Sequence, residues 1–456
     1  MKKLYIFALT IAGLLCSCDD FLDVTPKGKL LPKTTQDYDE MMADPSHPSG
    51  AYPTVDLCGD NVIFNERALT SMVTSSTGKA YLWMEDFYTA TEDDQVWNGS
   101  YNKIYTFNLV LERVDNSVDG TDSQKKRIKA EARFNRAYYY YFLHNCYAKA
   151  YDSQTAGADL SVPLRLTSDL EVKLSRATSQ KVVDQLLEDI KNPEDLPEEA
   201  ANEYRISRGG AYALSARIYL SLRDYDNALK NAALALEQNN TLLDYNTYSF
   251  KNPERPYSGI NNRPANYRIS PERILYRGCN FSSLTGMYLM SEELLNSYDT
   301  LTDLRYQFNF TRLQRNGKPR TDKTPAYLQD LDYNISVPEM MLIKAECLAR
   351  KNDRNCLTVL DDLRKCRIKQ SAWTPLNVAN DQLLETVLKE RERELPFHGL
   401  RFFDMKRLSK EGIYTQTLER IYQGKSYKLS PNSNQYLFPI SIKVRILNNS
   451  IVNNPR

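Results

Sequence analysis

Histidine and tryptophan are scarce in this chain, with 3 of each among 456 residues. His47, His144 and His398 lie far apart, and neither an HExxH nor a GxSxG stretch occurs. The helix that carries two zinc-binding histidines and the elbow that presents a nucleophilic serine are therefore both missing. The cysteines show no CxxC spacing and no neighbouring histidines, which argues against a zinc site; no metal and no cofactor are expected. Charge of one sign is also lacking. With 59 basic and 58 acidic residues the formal net charge is +1, so nothing points to nucleic acid or an anionic membrane surface as partner. Beyond the first residues, no segment is apolar enough to span a bilayer.

What is present is a globular composition, 42% hydrophobic and 26% charged, with 31 tyrosines as its one excess. The N-terminus has a strong order of its own. Lys2 and Lys3 precede an apolar run from Leu4 to Leu15, and Leu15-Cys16-Ser17 leads into Cys18. Positive charge, a short greasy core and small residues form an export signal, here residues 1–17. A signal ending in this way resembles that of a bacterial lipoprotein, in which Cys18 is acylated and becomes the new N-terminus. Acyl chains such as palmitate, rather than a transmembrane helix, would then tether the remainder, 18–456, as a single body. Export permits disulfides, and Cys347 with Cys356 or Cys366 is one option. The other reading is that most of the six remaining cysteines, Cys58, Cys146 and Cys279 among them, are buried small apolar residues.

Helical periodicity is strongest over 124–149, where Ala130, Phe134, Ala137, Tyr138, Tyr141 and Phe142 share a face. The run Tyr138 to Tyr141 spreads around the helix, so some of its rings should be wet or meet a neighbour. His144, without an obvious partner, reads as structural. Over 211–238, Tyr212, Ala216, Tyr219, Ala228, Ala232 and Ala235 fall at the aromatic and small positions of a tetratricopeptide repeat, with Asp224-Tyr225 at the turn. A weaker echo runs from Glu339 to Arg367, with Ala345 at the small position and Asn352-Asp353 at the turn. A further pair opens at Trp97 and closes with the 124–149 helix. The predicted fold is all-α: tetratricopeptide-like pairs forming a scaffold over about 93–238 and 337–430. Loop-rich regions of about 25–92 and 239–336 interrupt it, the second rich in Asn, Arg and Tyr and broken by Pro253, Pro256, Pro264 and Pro271. Loops of this length in a compact body are more often functional than idle.

Several motifs along the chain resemble the SusD/RagB family of outer-membrane lipoproteins. They begin with Cys18-Asp19-Asp20-Phe21-Leu22-Asp23 and include Trp97, Tyr101, the Ala137-to-Phe142 helix and Arg205-Ile206-Ser207-Arg208-Gly209-Gly210. Tyr298-Asp299, Pro338-Glu339 and, most specifically, Glu390-Arg391-Glu392-Arg393-Glu394-Leu395 with Phe397, Gly399, Arg401, Asp404 and Arg407 follow in the family's order. Gln435 to Ile440 and Asn453-Asn454-Pro455 resemble its ending. His398 stands where the family often has Glu, and Ser441 where it usually has Pro. The resemblance implies a non-enzymatic, surface-exposed protein of the outer membrane that holds a nutrient over a SusC-type TonB-dependent transporter. Such ligands are oligosaccharides most often and peptides in some members. The Glu/Arg run could be read as paired catalytic carboxylates, but charges alternating along one helix are better explained by ion pairs that lock it to its neighbours.

A sugar ring has an apolar face and a polar rim, so it suits aromatic platforms flanked by amides and charges. The loops offer Tyr81, Trp83 and Tyr88 in the first region and Tyr257, Tyr267, Tyr288 and Tyr298 in the second, with Asn61, Asp86 and Arg263 as polar partners. Trp83 serves equally well as a packing residue. Trp97 is assigned to packing, and Trp373 stays undecided. Besides an oligosaccharide binder, the sequence leaves room for a peptide binder, a surface hydrolase and a pure assembly scaffold.

Overall fold

The computed structural model describes residues 32–50, 53–64, 66–279, 289–321 and 324–456. The signal, Cys18 and Tyr288 lie outside the described residues. Among those described, nine helices carry the frame: α1 (Gln95–Arg113), α2 (Asp122–Tyr147), α3 (Ser179–Asp189), α4 (Arg208–Leu222), α5 (Tyr225–Gln238), α6 (Val337–Arg350), α7 (Asn355–Lys365), α8 (Leu383–Glu394) and α9 (Arg401–Lys410). None is long and apolar enough to cross a membrane.

The helices form antiparallel pairs: α1 with α2, α4 with α5, and α6 with α7. Local chemistry sets their ends. A capping box of Thr121 and Gln124 starts α2, and Asp224 caps α5. Arg223 and Asn352 take left-handed conformations, φ 63° and 55°, at the two tight turns that fold α5 onto α4 and α7 onto α6. Ala216, Ala228, Ala232 and Ala235 are fully buried between α4 and its neighbours, where only a methyl group lets the backbones approach closely. The tetratricopeptide-like pairing expected from the alanine and tyrosine spacing is present.

Helix α2 departs from the expectation of a partly wet tyrosine run. Tyr138, Tyr139, Tyr140 and Tyr141 are all buried, because other elements close around the helix on every side. Their polar tips are met locally: the Tyr140 hydroxyl donates to Arg165 O at 2.6 Å, Tyr139 donates to His47 O, and the Arg277 guanidinium lies 4.2 Å from the Tyr138 ring centre. His144 is buried too, its Nδ1 2.9 Å from Ser161 Oγ, and burial pushes the imidazole down to about 3. It is a neutral structural residue.

Among the described residues are ten short strands: β1 (Val62–Ile63), β2 (Ser249–Phe250), β3 (Ile260–Asn261), β4 (Arg273–Leu275), β5 (Leu289–Met290), β6 (Phe310–Thr311), β7 (Ala326–Tyr327), β8 (Ile335–Ser336), β9 (Leu418–Tyr422) and β10 (Lys425–Leu429). An antiparallel sheet of order β1-β5-β7-β6 ties the two loop-rich regions together, with Val62 opposite Met290 and Thr311 opposite Ala326. β4 pairs with β8 beside the N-terminus of α6. Two expectations fail here. Residues 418–429, assigned to the second helical stretch, form the β9–β10 hairpin, and the first irregular region contains four short helices. All six described cysteines are free, so the Cys347 pairing option is not realised.

The Glu/Arg run on α8 ties the frame together. Arg391 pairs with Asp404 of α9, Asp404 with Arg407, and Arg407 with Glu346 of α6, at 2.6–2.8 Å. Arg305 meets Glu390 and Glu394 at 2.7 and 2.9 Å. Burial opposes the charge on Glu390, but Arg305 and Arg393 outweigh it and hold the carboxyl down at about 2. Burial of Asp404 is overcome in the same way by Arg391 and Arg407, again to about 2. A general acid needs the opposite shift, so these carboxylates are built for ion pairing.

Candidate ligand-binding cleft

Prolines and short turns keep 243–272 from joining the helical stack, and the chain instead wraps around an open space. Single 3₁₀ turns at Tyr245–Thr247, Pro256–Ser258 and Tyr267–Ile269 present tyrosines from three directions. The segment after β7 closes the far side with Gln329, Asp330 and Asp332, and His398 borders the space from the α8–α9 connection. The result is a cleft of about 580 Å³ lined by Tyr245, Tyr248, Tyr257, Tyr267 and Tyr327 among amide and charged side chains. That volume suits a small ligand.

The walls are held from behind. Arg367, fully buried, bridges Glu272 and Glu394 at 2.7 and 2.8 Å and lies 4.3 Å from the Tyr245 ring centre. Tyr245 and Tyr248 stack at 4.7 Å, and the Arg263 guanidinium sits 5.2 Å from the Tyr248 ring while donating to Asn309 Oδ1 at 2.7 Å. Tyr267 stacks on Tyr276 at 6.1 Å, and its carbonyl accepts from Asn334 Nδ2 at 3.0 Å. Asp332 accepts from the Asn334 N–H at 2.8 Å, and burial raises its carboxyl. Beneath it, Asp56 accepts from the Tyr333 hydroxyl and the Gly399 N–H, with burial pushing it up to about 7. Among the described residues, the buried hydroxyl of Tyr248 and the buried Nη1 of Arg273, both bordering the cleft, have no hydrogen-bond partner.

Of the residues singled out in the sequence, Tyr257, Arg263 and Tyr267 come together in this cleft. The first-region candidates do not join them. Trp83 and Tyr88 are core residues, 4% and 6% exposed, and Trp83 Nε1 donates to Cys58 O at 3.0 Å. The Arg420 guanidinium covers Tyr81 and Trp83 at 3.7 and 4.1 Å from their ring centres. Asn61 is buried and donates to Glu392 Oε1, while half-buried Asp86 pairs with Arg445 at 3.2 Å. Tyr298 is buried and donates to Arg393 O at 2.6 Å. Trp97 packs against Tyr147 in an edge-to-face contact, as assigned. Trp373 lies beneath Lys365, with its ring 5.1 Å from Nζ. Sequence reasoning missed Tyr245, Tyr248, Tyr327, Asn309, Gln329 and Asp332. The signal available was the density of Tyr, Asn and Asp between two helical stretches, which named the region but not the residues.

A second groove, about 660 Å³, runs between the β9–β10 hairpin and a wall that includes Asp60, Val62, Phe64, Glu66 and Leu69. Its deeper charges are already engaged, Asp60 pairing with Arg401 at 2.7 Å and Arg420 donating to the carbonyls of Leu57, Gly59 and Tyr81, and only Glu66 and Glu293 among its lining carboxylates form no ion pair with a described residue. The tyrosine-walled cleft, with unpartnered groups at its border, is the stronger candidate.

Comparison with known proteins agrees with this architecture. A family described as starch-binding and associating with the outer membrane matches residues 20–220, and the SusD family matches residues 273–456. The chain belongs to the SusD/RagB family. No curated protein sequence matches it. Solved structures share the fold at low identity. A SusD superfamily protein from Bacteroides thetaiotaomicron is 19% identical, covers 93% of this chain and 100% of its own, and has a TM-score of 0.70. A putative sugar-binding protein from Bacteroides vulgatus is 20% identical over 94% of this chain and 99% of its own, TM-score 0.71. Surface glycan-binding protein A from Bacteroides uniformis is 17% identical over 92% and 99%, TM-score 0.69. Within the SusD/RagB pattern, the two departures have structural consequences. Ser441 caps the helix Ile442–Leu447, and His398 borders the cleft.

Proposed function

We propose that this SusD/RagB protein is a lipid-anchored, surface-exposed nutrient-binding protein that captures an oligosaccharide in the tyrosine-walled cleft and passes it, unaltered, to a SusC-type TonB-dependent transporter. In this reading, 93–238 and 337–410 form the frame, 239–336 forms the ligand side, and Cys18 carries the anchor. The observation that carries it is the cleft itself: flat tyrosine faces alternate with Asn309, Gln329, Asp330 and Arg263, matching the apolar face and hydroxyl rim of a pyranose. The names of the Bacteroides vulgatus and Bacteroides uniformis relatives, which speak of sugar and glycan binding, support the same ligand class. An acyl tether would keep the protein near its transporter and raise the effective concentration of each for the other.

Calorimetric titration of the purified protein with a panel of oligosaccharides and peptides tests the reading. Saturable binding of a glycan that weakens by about tenfold on Tyr257→Ala, the loss of one aromatic contact surface, is the expected result. Saturable peptide binding with no glycan response would replace the oligosaccharide by a peptide, and turnover of any glycan would overturn the non-enzymatic role.

A further inference from the structure

The arginines of the frame are partnered. Arg217, Arg367 and Arg407 meet carboxylates, and Arg176 and Arg420 meet rows of carbonyl oxygens. Arg273 differs. Its guanidinium, half-buried at the border of the cleft, makes no hydrogen bond and no ion pair with any described residue, and its Nη1 is shut away from water. Glu203 and Asp332 act on it only through their charge, and burial dominates, pulling the guanidinium below its usual range. Lys251 and Arg263, on other walls of the same cleft, also lack a carboxylate partner. The buried Tyr248 hydroxyl adds an unpartnered donor.

A guanidinium taken out of water without a counter-charge is costly. Sugar hydroxyls would relieve part of that cost. An anionic oxygen would relieve more, because charge-assisted hydrogen bonds are roughly twice as strong as neutral ones and a carboxylate or sulfate can engage the guanidinium fork at two points. The carboxylates nearby do not fill this role. Glu272 is committed to Arg367, and Asp332 accepts from the Asn334 N–H and forms no ion pair with Arg273.

Resting on the reading of this cleft as an oligosaccharide site, we infer that its ligand is an acidic oligosaccharide whose carboxylate or sulfate pairs with Arg273. The experiment is a calorimetric series on the full mature protein with homogalacturonan fragments, sulfated glycosaminoglycan fragments, neutral cello- and xylo-oligosaccharides, and acidic peptides. Each is run at low and at physiological salt. The expected result is that one acidic arm binds, the uronate arm naming a carboxylate and the glycosaminoglycan arm a sulfate. Affinity should fall with salt, drop by about tenfold or more in Arg273→Gln, and drop less in Lys251→Gln. Binding of neutral oligosaccharides with no response to acidic ones would overturn this inference and leave the glycan reading standing. Saturable acidic-peptide binding without any glycan response would overturn both. Should Arg273→Gln fail to fold, the exposed Lys251→Gln variant and the salt series on the native protein decide, and salt-independent binding of the acidic sugar would overturn the inference.

Discussion

In the helical frame, Arg367 and Arg407 each meet two carboxylates, whereas around the cleft Lys251, Arg263 and Arg273 form no ion pair with any described residue. Both regions are rich in arginine and tyrosine, so composition alone does not separate them. The difference lies in whether the polar tips have protein partners. In the frame, the guanidinium groups of Arg217, Arg367 and Arg407 are held by carboxylates and serve packing, although single atoms such as Arg391 Nη1 and the Tyr436 hydroxyl have no hydrogen-bond partner among the described residues. Around the cleft, several remain available, which is what a binding surface requires and a core does not tolerate.

The comparison can be broken most severely at Arg407. Arg407→Ala leaves buried Glu346 with Arg350 alone and Asp404 with Arg391 alone, and should destabilise the fold by about 3 kcal/mol in urea denaturation, the low end of what loss of one partner of a buried ion pair costs. An equal loss in Arg263→Ala would show that the cleft is frame as well.

Acid should reveal the same division. Glu390 has its carboxyl lowered from 4.5 to about 2 in the folded state, so the unfolded chain binds more protons as the pH drops. The stability from its ion pairs is therefore complete above pH 4.5 and is lost as the pH falls toward about 2. Thermal melts should decline through that window, and Glu390→Gln should flatten the decline while lowering stability at neutral pH. An unchanged slope would remove Glu390 from the network's pH response.

A smaller effect separates packing aromatics from ligand platforms. Trp83→Phe removes the indole bond to Cys58 O and should cost about 1 kcal/mol or somewhat more of stability with glycan affinity unchanged. A loss of affinity at constant stability would return Trp83 to the binding surface. The smallest change is expected at Asp86, whose pair with Arg445 is partly exposed. Asp86→Ala should cost less than about 1 kcal/mol, and a larger loss in denaturation would show that this pair anchors the C-terminal segment.

The helix pairs were legible because their signal is local. Small residues recur at helical spacing, and Asp224 and Asn352 mark the turns, so each hairpin can be read without knowing its neighbours. The α8 charges were legible as ion pairs for a related reason, since alternating signs on one helix have few other uses. The tyrosine run on α2 was misread because amphipathic reasoning presumes one wet face, and this helix has none. The β9–β10 hairpin was legible only at its turn, Gln423-Gly424, both with positive φ, 49° and 74°, because Leu418 to Tyr422 do not alternate in polarity: Arg420 is buried and Ile421 exposed.

The cleft was legible only as a region. Tyr257, Arg263 and Tyr267 were named, but Tyr81, Trp83, Tyr88 and Tyr298, chosen by the same logic, are interior. Tyr245 and Tyr327 were not distinguished from the other tyrosines. Nothing local separates these groups, since each sits in a short, irregular, polar stretch.

The amino-acid sequence by itself determined the paired helices and the SusD/RagB family, because both rest on spacing within contiguous segments. Tertiary structure alone decided which aromatic side chains line the cleft. A tyrosine has an apolar ring and a polar tip and is at home in a core or on a binding wall. The choice is made by distant partners, such as Arg420 covering Tyr81 or Arg367 backing Tyr245, whose arrival no local pattern announces.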